Sequence, residues 1–225
     1  NFTPAVKEEV QNRGTPVTYE ESRVLGADIT PEEIMGAAES RKEKSCGLDG
    51  LPFWIYRIEE VAKATAVAVN AAKRTGQLPP IMTQVRVKLI PKGKVNLENL
   101  ANWRPISLTA TSYRLWGRVM ANRLHTVLKR LIHPDQTAYQ RGRYICSNIL
   151  LARLVQLQLE QEQGCDSSML SVDFKKAYDS VSYRYLPRAL AAFGLGEEFS
   201  KWAMLVTRGF SARLTVDNEL TPPLP

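Results

Sequence analysis

The stretch that decides the fold is Asn102-Trp103-Arg104-Pro105-Ile106-Ser107-Leu108, which follows shortly after Leu89-Ile90-Pro91-Lys92. From Val85 to Ile90, apolar residues alternate with the basic residues Arg86 and Lys88. Alternation with a period of two predicts a strand, because successive side chains of a strand point to opposite faces. The first stretch then resumes an extended path, so we expect the two strands to pair as a hairpin.

Around this hairpin the sequence predicts mainly helices. Thr30 and Glu33 form a capping box that starts the first of them. The helix from about Ser112 to Ile132 has an apolar stripe along one side and basic residues near the other. The predicted helices cover about 30–44, 53–74, 112–132, 146–163, 183–193 and 197–208, and further strands cover 169–173 and 211–216.

The composition is that of a folded intracellular protein, and its charge distribution favours a polyanionic partner. Hydrophobic residues make up 44% of the chain and charged residues 24%. Between Ile81 and Arg143, twelve basic residues stand against two acidic ones, a local net charge of +10 against +7 for the chain. A phosphate-backbone binder has such a footprint, and so does a solvated face. The three cysteines fit neither a disulfide framework nor a zinc site, and no apolar run would span a bilayer.

Four stretches resemble, in the same order, motifs of the reverse transcriptases of non-LTR (LINE-type) retrotransposons. The two hairpin stretches resemble the first motif, which in that family covers the incoming nucleotide. Residues 44–52 are similar to the Lys-Ser-x-Gly-x-Asp-Gly segment that precedes it. Residues 135–143 resemble the Gln-x-Gly-Phe…Gly-Arg motif beside the template, although Ala138 and Tyr139 replace the usual Gly and Phe. Residues 171–181 look like motif A of the palm.

The resemblance implies an α+β fold: the fingers and part of the palm of a right-hand polymerase, rich in helices and with short antiparallel strands. It implies three regions, an N-terminal arm or linker at 1–27, a fingers region at 28–165 and a partial palm with motif A at 166–225. Family members carry a later aromatic-Ala-Asp-Asp hairpin, and no two aspartates are adjacent in this sequence. We therefore expect a fragment that is truncated before the catalytic hairpin and makes no DNA by itself.

Asp173 is the candidate catalytic residue. In the predicted strand Met169–Asp173, we expect Leu170 and Val172 on a buried face and Asp173 on the other. By resemblance, the Asp173 carboxylate and the backbone carbonyl of Phe174 are metal ligands in a two-metal Mg²⁺ site that this chain holds only in part. From the residues alone, an aspartate that caps a strand end is the alternative.

Three residues are candidates for binding the incoming nucleotide. By resemblance, Tyr178 lies under its sugar, where a ribose 2′-hydroxyl would collide, and a core aromatic is the alternative. Arg104 and Lys92 lie at the edges of the hairpin, where a guanidinium and an ammonium could hold the triphosphate. General attraction to nucleic acid, or simple solvation, is the alternative for both.

A second group of residues is predicted to contact nucleic acid. By resemblance, Gln136, Tyr139 and Arg143 lie along the template strand, where the aromatic ring of Tyr139 can stack on a base. Arg86 and Lys88 are expected to touch backbone phosphates.

The resemblance implies an RNA-directed DNA polymerase, a nucleotidyltransferase that copies retrotransposon RNA into DNA. Its expected partners are an RNA template, a DNA primer, deoxynucleoside triphosphates and the rest of the same polypeptide (palm, thumb and an endonuclease), with no membrane. The nucleus is the expected location. The alternatives are a repurposed nucleic-acid-binding remnant and a group II intron-type reverse transcriptase that also assists splicing.

Overall fold

The computed structural model describes residues 16–39, 45–93, 96–161, 168–178, 180–207, 209–216 and 219–224, and it combines helices with one small sheet. The α-helices are α1 (Tyr19–Gly26), α2 (Pro31–Glu39), α3 (Glu59–Thr75), α4 (Pro80–Thr83), α5 (Thr111–Leu131), α6 (Ile145–Gln161), α7 (Leu186–Ala192) and α8 (Gly196–Met204). Short 3-10 helices cover Phe53–Arg57, Leu100–Asn102 and Leu205–Thr207. The strands are β1 (Gln84–Pro91), β2 (Trp103–Thr109), β3 (Ser211–Val216) and β4 (Glu219–Leu220). The predicted helix-rich α+β class is confirmed.

The strands form one mixed sheet in the order β2-β1-β3-β4. β1 and β2 pair antiparallel, from Val85 opposite Thr109 to Pro91 opposite Trp103, which confirms the predicted hairpin. The prediction of antiparallel strands is wrong for the β1–β3 pair, which is parallel, whereas β3 and β4 pair antiparallel. Parallel neighbours need a long connection, and here α5 to α8 separate the two strands in the chain.

α5 is the central helix of the core. Its buried residues are Thr111, Leu115, Trp116, Val119, Met120, Val127 and Leu131. Most of them follow the three- and four-residue spacing of a single helical face, which confirms the apolar stripe predicted from the sequence. The ring of Trp116 lies 6.4 Å from the ring of Trp202 on α8, measured between centroids. Helices from both ends of the chain therefore pack around α5.

Within the predicted N-terminal arm or linker at 1–27, Val17, Leu25 and Gly26 are buried against the core. The Thr18 hydroxyl accepts a hydrogen bond from the Glu21 amide, and the Glu21 carboxylate accepts one from the Thr18 amide, so α1 starts with a capping box. Leu25 near its end is 2% exposed. The sequence shows no sustained period here because only two residues of this short helix are buried. Residues 1–15 lie outside the described residues, and the division of the chain into three regions stays a prediction.

The helix predicted at 53–74 is divided into two pieces. Phe53–Arg57 forms a 3-10 helix, and two buried aromatic side chains three residues apart fit its tighter turn. Ile58 interrupts the helical path with an extended backbone (φ −79°, ψ 125°), and α3 starts directly after it. Gly76, the predicted stop, follows α3 in the left-handed conformation with φ 73°, which favours glycine.

The remaining predicted helices are present with different ends. The capping box of α2 is confirmed, since the Glu33 carboxylate accepts from the Thr30 amide at 3.0 Å. α7 and α8 are shorter than the predicted 183–193 and 197–208. α6 confirms the helix predicted at 146–163, but none of its residues is buried. Residues 40–44, 162–167 and 208 lie outside the described part of the chain. None of the described helices is long and apolar enough to cross a membrane.

Two carboxylates at the surface of the helical core, those of Glu21 and Glu198, are expected to make stability depend on pH. Hydrogen bonds from Arg130, and then from the Thr18 amide, lower the pKa of Glu21 from 4.5 to about 2. Hydrogen bonds from Lys201 and Lys73 lower the pKa of Glu198 to the same value. A carboxyl group whose pKa is lowered by folding stabilises the folded state when it is ionised. This contribution is complete above pH 4.5 and is lost as the pH falls through about 2.

We therefore expect the urea midpoint of unfolding to fall as the pH is lowered through this window. The double variant Glu21→Gln and Glu198→Gln should show a flatter dependence, because neither position can then bind a proton. An unchanged slope in the double variant would contradict this account.

Candidate nucleotide and nucleic-acid site

The hairpin brings the two predicted triphosphate-binding residues to one end of the sheet. Arg104 lies opposite Ile90, next to the loop that connects β1 and β2, and its side chain is exposed. Lys92 follows β1 directly, and its amide donates to the Asn102 carbonyl at 2.9 Å. The Lys92 ammonium donates to the Ala101 carbonyl at 2.6 Å. Arg104 therefore presents an accessible guanidinium, whereas Lys92 must exchange one carbonyl contact to bind phosphate.

The described basic residues between Ile81 and Arg143 lie partly in the core and partly on the surface. The Arg123 guanidinium pairs with the Glu33 carboxylate at 2.7 and 2.6 Å, and Arg130 pairs with Glu21. Arg114, predicted to lie on a basic face of α5, stacks on the ring of Phe53 at 4.8 Å. These three arginines make contacts within the protein, and Arg114 is the one among them that belongs to the predicted basic face of α5, so that face is smaller than the sequence indicates.

The described part of the predicted 44–52 motif, residues 45–52, is anchored at the junction between β2 and α5. The Thr111 amide at the start of α5 donates to an oxygen of Asp49 at 3.1 Å, and its hydroxyl donates to the Leu51 carbonyl at 2.6 Å. A Cβ atom at Gly47 would lie 2.6 Å from the Thr109 carbonyl, so only glycine fits. Sequence reasoning missed this structural role of Asp49 and Gly47. Lys44 lies outside the described residues.

Arg143, predicted to lie along the template, holds together the loop that follows α5. Its guanidinium donates to the carbonyl groups of Lys129, Ile132, His133 and Gln136 at 2.5 to 3.2 Å. Carbonyl groups at a helix C-terminus lack intrahelical partners, so a cation there satisfies them. The structure thus uses Arg143 to shape the loop that presents Gln136 and Tyr139, whose side chains are exposed.

Tyr139 and Tyr178 lie together, although they belong to different motifs. Their side chains are 82% and 77% exposed. A hydrogen bond between the two hydroxyl groups, followed by partial desolvation, raises the pKa of Tyr178. Tyr139 has a left-handed backbone with φ 59°, which is rare for an aromatic residue and often marks a functional position. A residue predicted beside the template therefore contacts the residue predicted beside the nucleotide sugar.

Asp173 lies on an irregular, exposed segment rather than on a strand. The predicted strand Met169–Asp173 is wrong, since 168–174 has no regular secondary structure. Leu170 and Val172, expected to be buried, are 86% and 68% exposed. The physical reason is that a strand needs a hydrogen-bonded neighbour, and none of the described strands pairs with this segment.

The exposed position leaves the carboxylate of Asp173 accessible to a ligand. Within the described residues it forms no ion pair, and Phe174 beside it is also exposed. The described His, Cys, Asp and Glu residues form no cluster of three or more that could hold a metal ion. The structure therefore supplies one accessible carboxylate at this position.

Comparison with known proteins agrees with the motifs. The family model described as "Reverse transcriptase (RNA-dependent DNA polymerase)" matches residues 90–221. The chain is 31% identical, over 99% of its own length and 17% of the relative's, to "Transposon TX1 uncharacterized 149 kDa protein" of Xenopus laevis. It is 31% identical, over 77% of its length and 24% of the relative's, to "Retrovirus-related Pol polyprotein from type-1 retrotransposable element R2" of Popillia japonica. Over 68% of its length and 17% of the relative's, it is 27% identical to "Probable RNA-directed DNA polymerase from transposon BS" of Drosophila melanogaster. The chain thus spans a quarter or less of these relatives.

Proposed function

Because the chain belongs to the reverse transcriptase (RNA-dependent DNA polymerase) family, we propose that it forms part of an enzyme that copies retrotransposon RNA into DNA. The observation that carries the proposal is the matched region 90–221, which contains both the exposed arginine of the hairpin and the accessible carboxylate of Asp173. The predicted relationship to non-LTR retrotransposon enzymes is confirmed by the relatives named above. We further propose that the enzyme acts in the nucleus.

In this proposal, residues 28–165 are the fingers and residues 166–225 are part of the palm. β3 lies in the second region and pairs with β1 in the first, so the two regions share one sheet. Through this sheet, the hairpin of the proposed fingers is hydrogen-bonded to β3, which follows Asp173 in the chain. Residues 16–27 contact α8 of the proposed palm as well as α5 of the proposed fingers, so they would link the two regions.

Asp173 and the carbonyl group of Phe174 would hold a divalent ion, for which we propose Mg²⁺. Mg²⁺ takes one or two carboxylates together with water and substrate phosphate, and an exposed carboxylate without described partners fits that requirement. When bound, the ions would neutralise charge on the phosphoryl oxygens. The 225 residues contain no adjacent aspartates, so we expect the remaining carboxylate ligands to come from outside them.

The chain's own groups would position the nucleotide and the template. Arg104 would pair with triphosphate oxygens bidentately, and Lys92 would join it after leaving the Ala101 carbonyl. Tyr178 would lie under the sugar, held by its hydrogen bond to Tyr139. Gln136 and the exposed ring of Tyr139 would contact the template, in a loop shaped by Arg143. These groups orient reactants, which is the main contribution of a protein to phosphoryl transfer.

The test is primer extension by the full-length protein on an RNA template. We expect synthesis that requires the RNA, deoxynucleoside triphosphates and Mg²⁺, and that stops when EDTA removes the metal. Ribonucleotides should be rejected because Tyr178 would collide with the 2′-hydroxyl. Tight RNA binding without any primer extension would contradict the proposal and favour the binding remnant.

A further inference from the structure

Arg213 on β3 extends the basic side of the hairpin. In the parallel pairing, Arg86 lies opposite Arg213 and Lys88 lies opposite Thr215. Directly paired residues of neighbouring strands point to the same face of a sheet. The Arg86 side chain accordingly donates from Nε to the Thr215 hydroxyl at 2.9 Å. Side chains of β1 and β3 therefore meet on this face.

β2 adds a fourth cation to the same face. Arg104 is paired with Ile90, which lies two and four residues from Lys88 and Arg86 along β1. Val85 and Val87 point to the other face and are 7% and 8% exposed, so that other face packs on the core. The basic face is defined here by Arg86, Lys88, Arg104 and Arg213.

Among the residues that the structure describes, no acidic side chain balances these four cations. The only acidic residue in the described strands is Glu219, and it pairs with Val216, whose side chain belongs to the opposite face. None of the four forms an ion pair with a described acidic residue. Arg123 and Lys73 in the core, by contrast, both pair with carboxylates. Clustered cations without counter-charges repel one another and attract anions.

We propose that Arg86, Lys88 and Arg213 of the basic face bind the phosphate backbone of a single-stranded nucleic acid, while Arg104 at the end of that face remains for the nucleotide. The proposal rests on the proposed function for the identity of the polyanion. Neighbouring strands are about 4.8 Å apart and alternate residues about 6.7 Å apart, so the face offers several cations to one extended strand. Ile90 and Ile106 are 45% and 40% exposed on this face and offer apolar contact beside the phosphates.

We expect nucleic-acid binding at the basic face to be independent of base sequence. None of the paired residues on it is aromatic, so it has no platform on which bases could stack. Contacts to phosphate carry no sequence information. The sequence motifs do not indicate a role for Arg213, because its position beside Arg86 results from a parallel pairing of strands that lie far apart in the chain.

The test is binding of a short labelled oligonucleotide to the full 225-residue chain, followed by fluorescence anisotropy over a range of salt concentrations. Arg213→Gln should weaken binding about five-fold and lower the slope of log K against log salt by about 0.7, as expected for one lost phosphate contact. Arg213→Lys keeps the charge and should keep the slope. RNA and DNA oligonucleotides should respond alike, since both contain the phosphate backbone.

Arg57→Gln is the matched control, because it removes one exposed positive charge outside the sheet. It should leave the slope unchanged. Equal effects of Arg213→Gln and Arg57→Gln, or an effect on only one type of oligonucleotide, would overturn the proposal.

A second measurement needs no variant. Bound oligonucleotide should slow the modification of Arg213 by phenylglyoxal in the unaltered chain, while Arg57 stays equally reactive. Equal protection of both residues would contradict the assignment. Neither measurement needs DNA synthesis. A failure in primer extension would therefore count against the proposed enzyme and would not contradict nucleic-acid binding by the basic face.

Discussion

Replacement of Asp173 by Ala in the full-length protein should lower the rate of RNA-templated DNA synthesis by at least about 10³-fold, with RNA affinity unchanged within about twofold. A metal ligand contributes several kcal/mol to the stabilisation of charge in the transition state, and each 1.4 kcal/mol corresponds to about a tenfold change in rate. The exposed side chain has no described ion-pair partner, so its removal should leave the fold intact. Single-turnover primer extension and RNA titration measure the two quantities separately.

Two further variants make this result specific. Asp173→Asn keeps the size of the side chain and removes its charge, so it should be nearly as inactive as Asp173→Ala. Glu160→Ala removes an exposed carboxylate on α6 and should leave the rate unchanged. If Asp173→Ala lowers RNA affinity and synthesis by the same factor, Asp173 is a structural or binding residue and the metal assignment is wrong.

The elements that could be predicted from the sequence are those whose pattern is local. Alternation in β1, the apolar stripe of α5 and the capping box at Thr30 each depend on residues within a few positions of one another. The structure confirms all three. The hairpin joins two strands that follow one another in the chain, so antiparallel pairing of β1 and β2 could be expected.

What could not be predicted depends on contacts between distant parts of the chain. The parallel pairing of β3 with β1 is one case, and with it the position of Arg213. The segment 168–174 is another, because its alternating sequence fits a strand but no described strand pairs with it. The charge count also misleads, since an arginine paired with a carboxylate in the core looks the same in sequence as one exposed to solvent.

Arg123 is an arginine that pairs with a carboxylate in the core. Its replacement by Ala should lower the free energy of unfolding by about 3–5 kcal/mol. Its side chain is 10% exposed and pairs with both carboxylate oxygens of Glu33. It also donates to the carbonyl group of Leu25 near the end of α1 and to those of Ala27 and Asp28 in the connection to α2. The variant removes the guanidinium from these carbonyl groups, of which that of Ala27 still accepts from the Trp202 indole at 3.3 Å, and it leaves Glu33 without its counter-charge.

The pKa of Glu33 depends on two opposing effects, its burial and its hydrogen bonds. Burial alone would raise it, but hydrogen bonds from Arg123 and from the Thr30 amide outweigh burial, and the pKa is lowered. Loss of the guanidinium removes the larger of these favourable contacts while burial remains. The penalty in the variant is therefore that of an uncompensated, partly buried carboxylate.

Urea unfolding of the 225-residue chain measures the effect, and Arg141→Ala is the matched control. Arg141 is exposed and donates only to Asn122 among the described residues, so its loss should change stability by no more than about 0.5 kcal/mol.

If Arg123→Ala does not fold, Arg123→Lys should still fold with reduced stability, because an ammonium keeps the charge but not the bidentate geometry. A double-mutant cycle with Glu33→Gln gives the coupling between the two side chains. A mobile arm at 16–27 would contribute nothing to stability, so a change below about 1 kcal/mol for Arg123→Ala would restore the arm interpretation and remove α1 from the core.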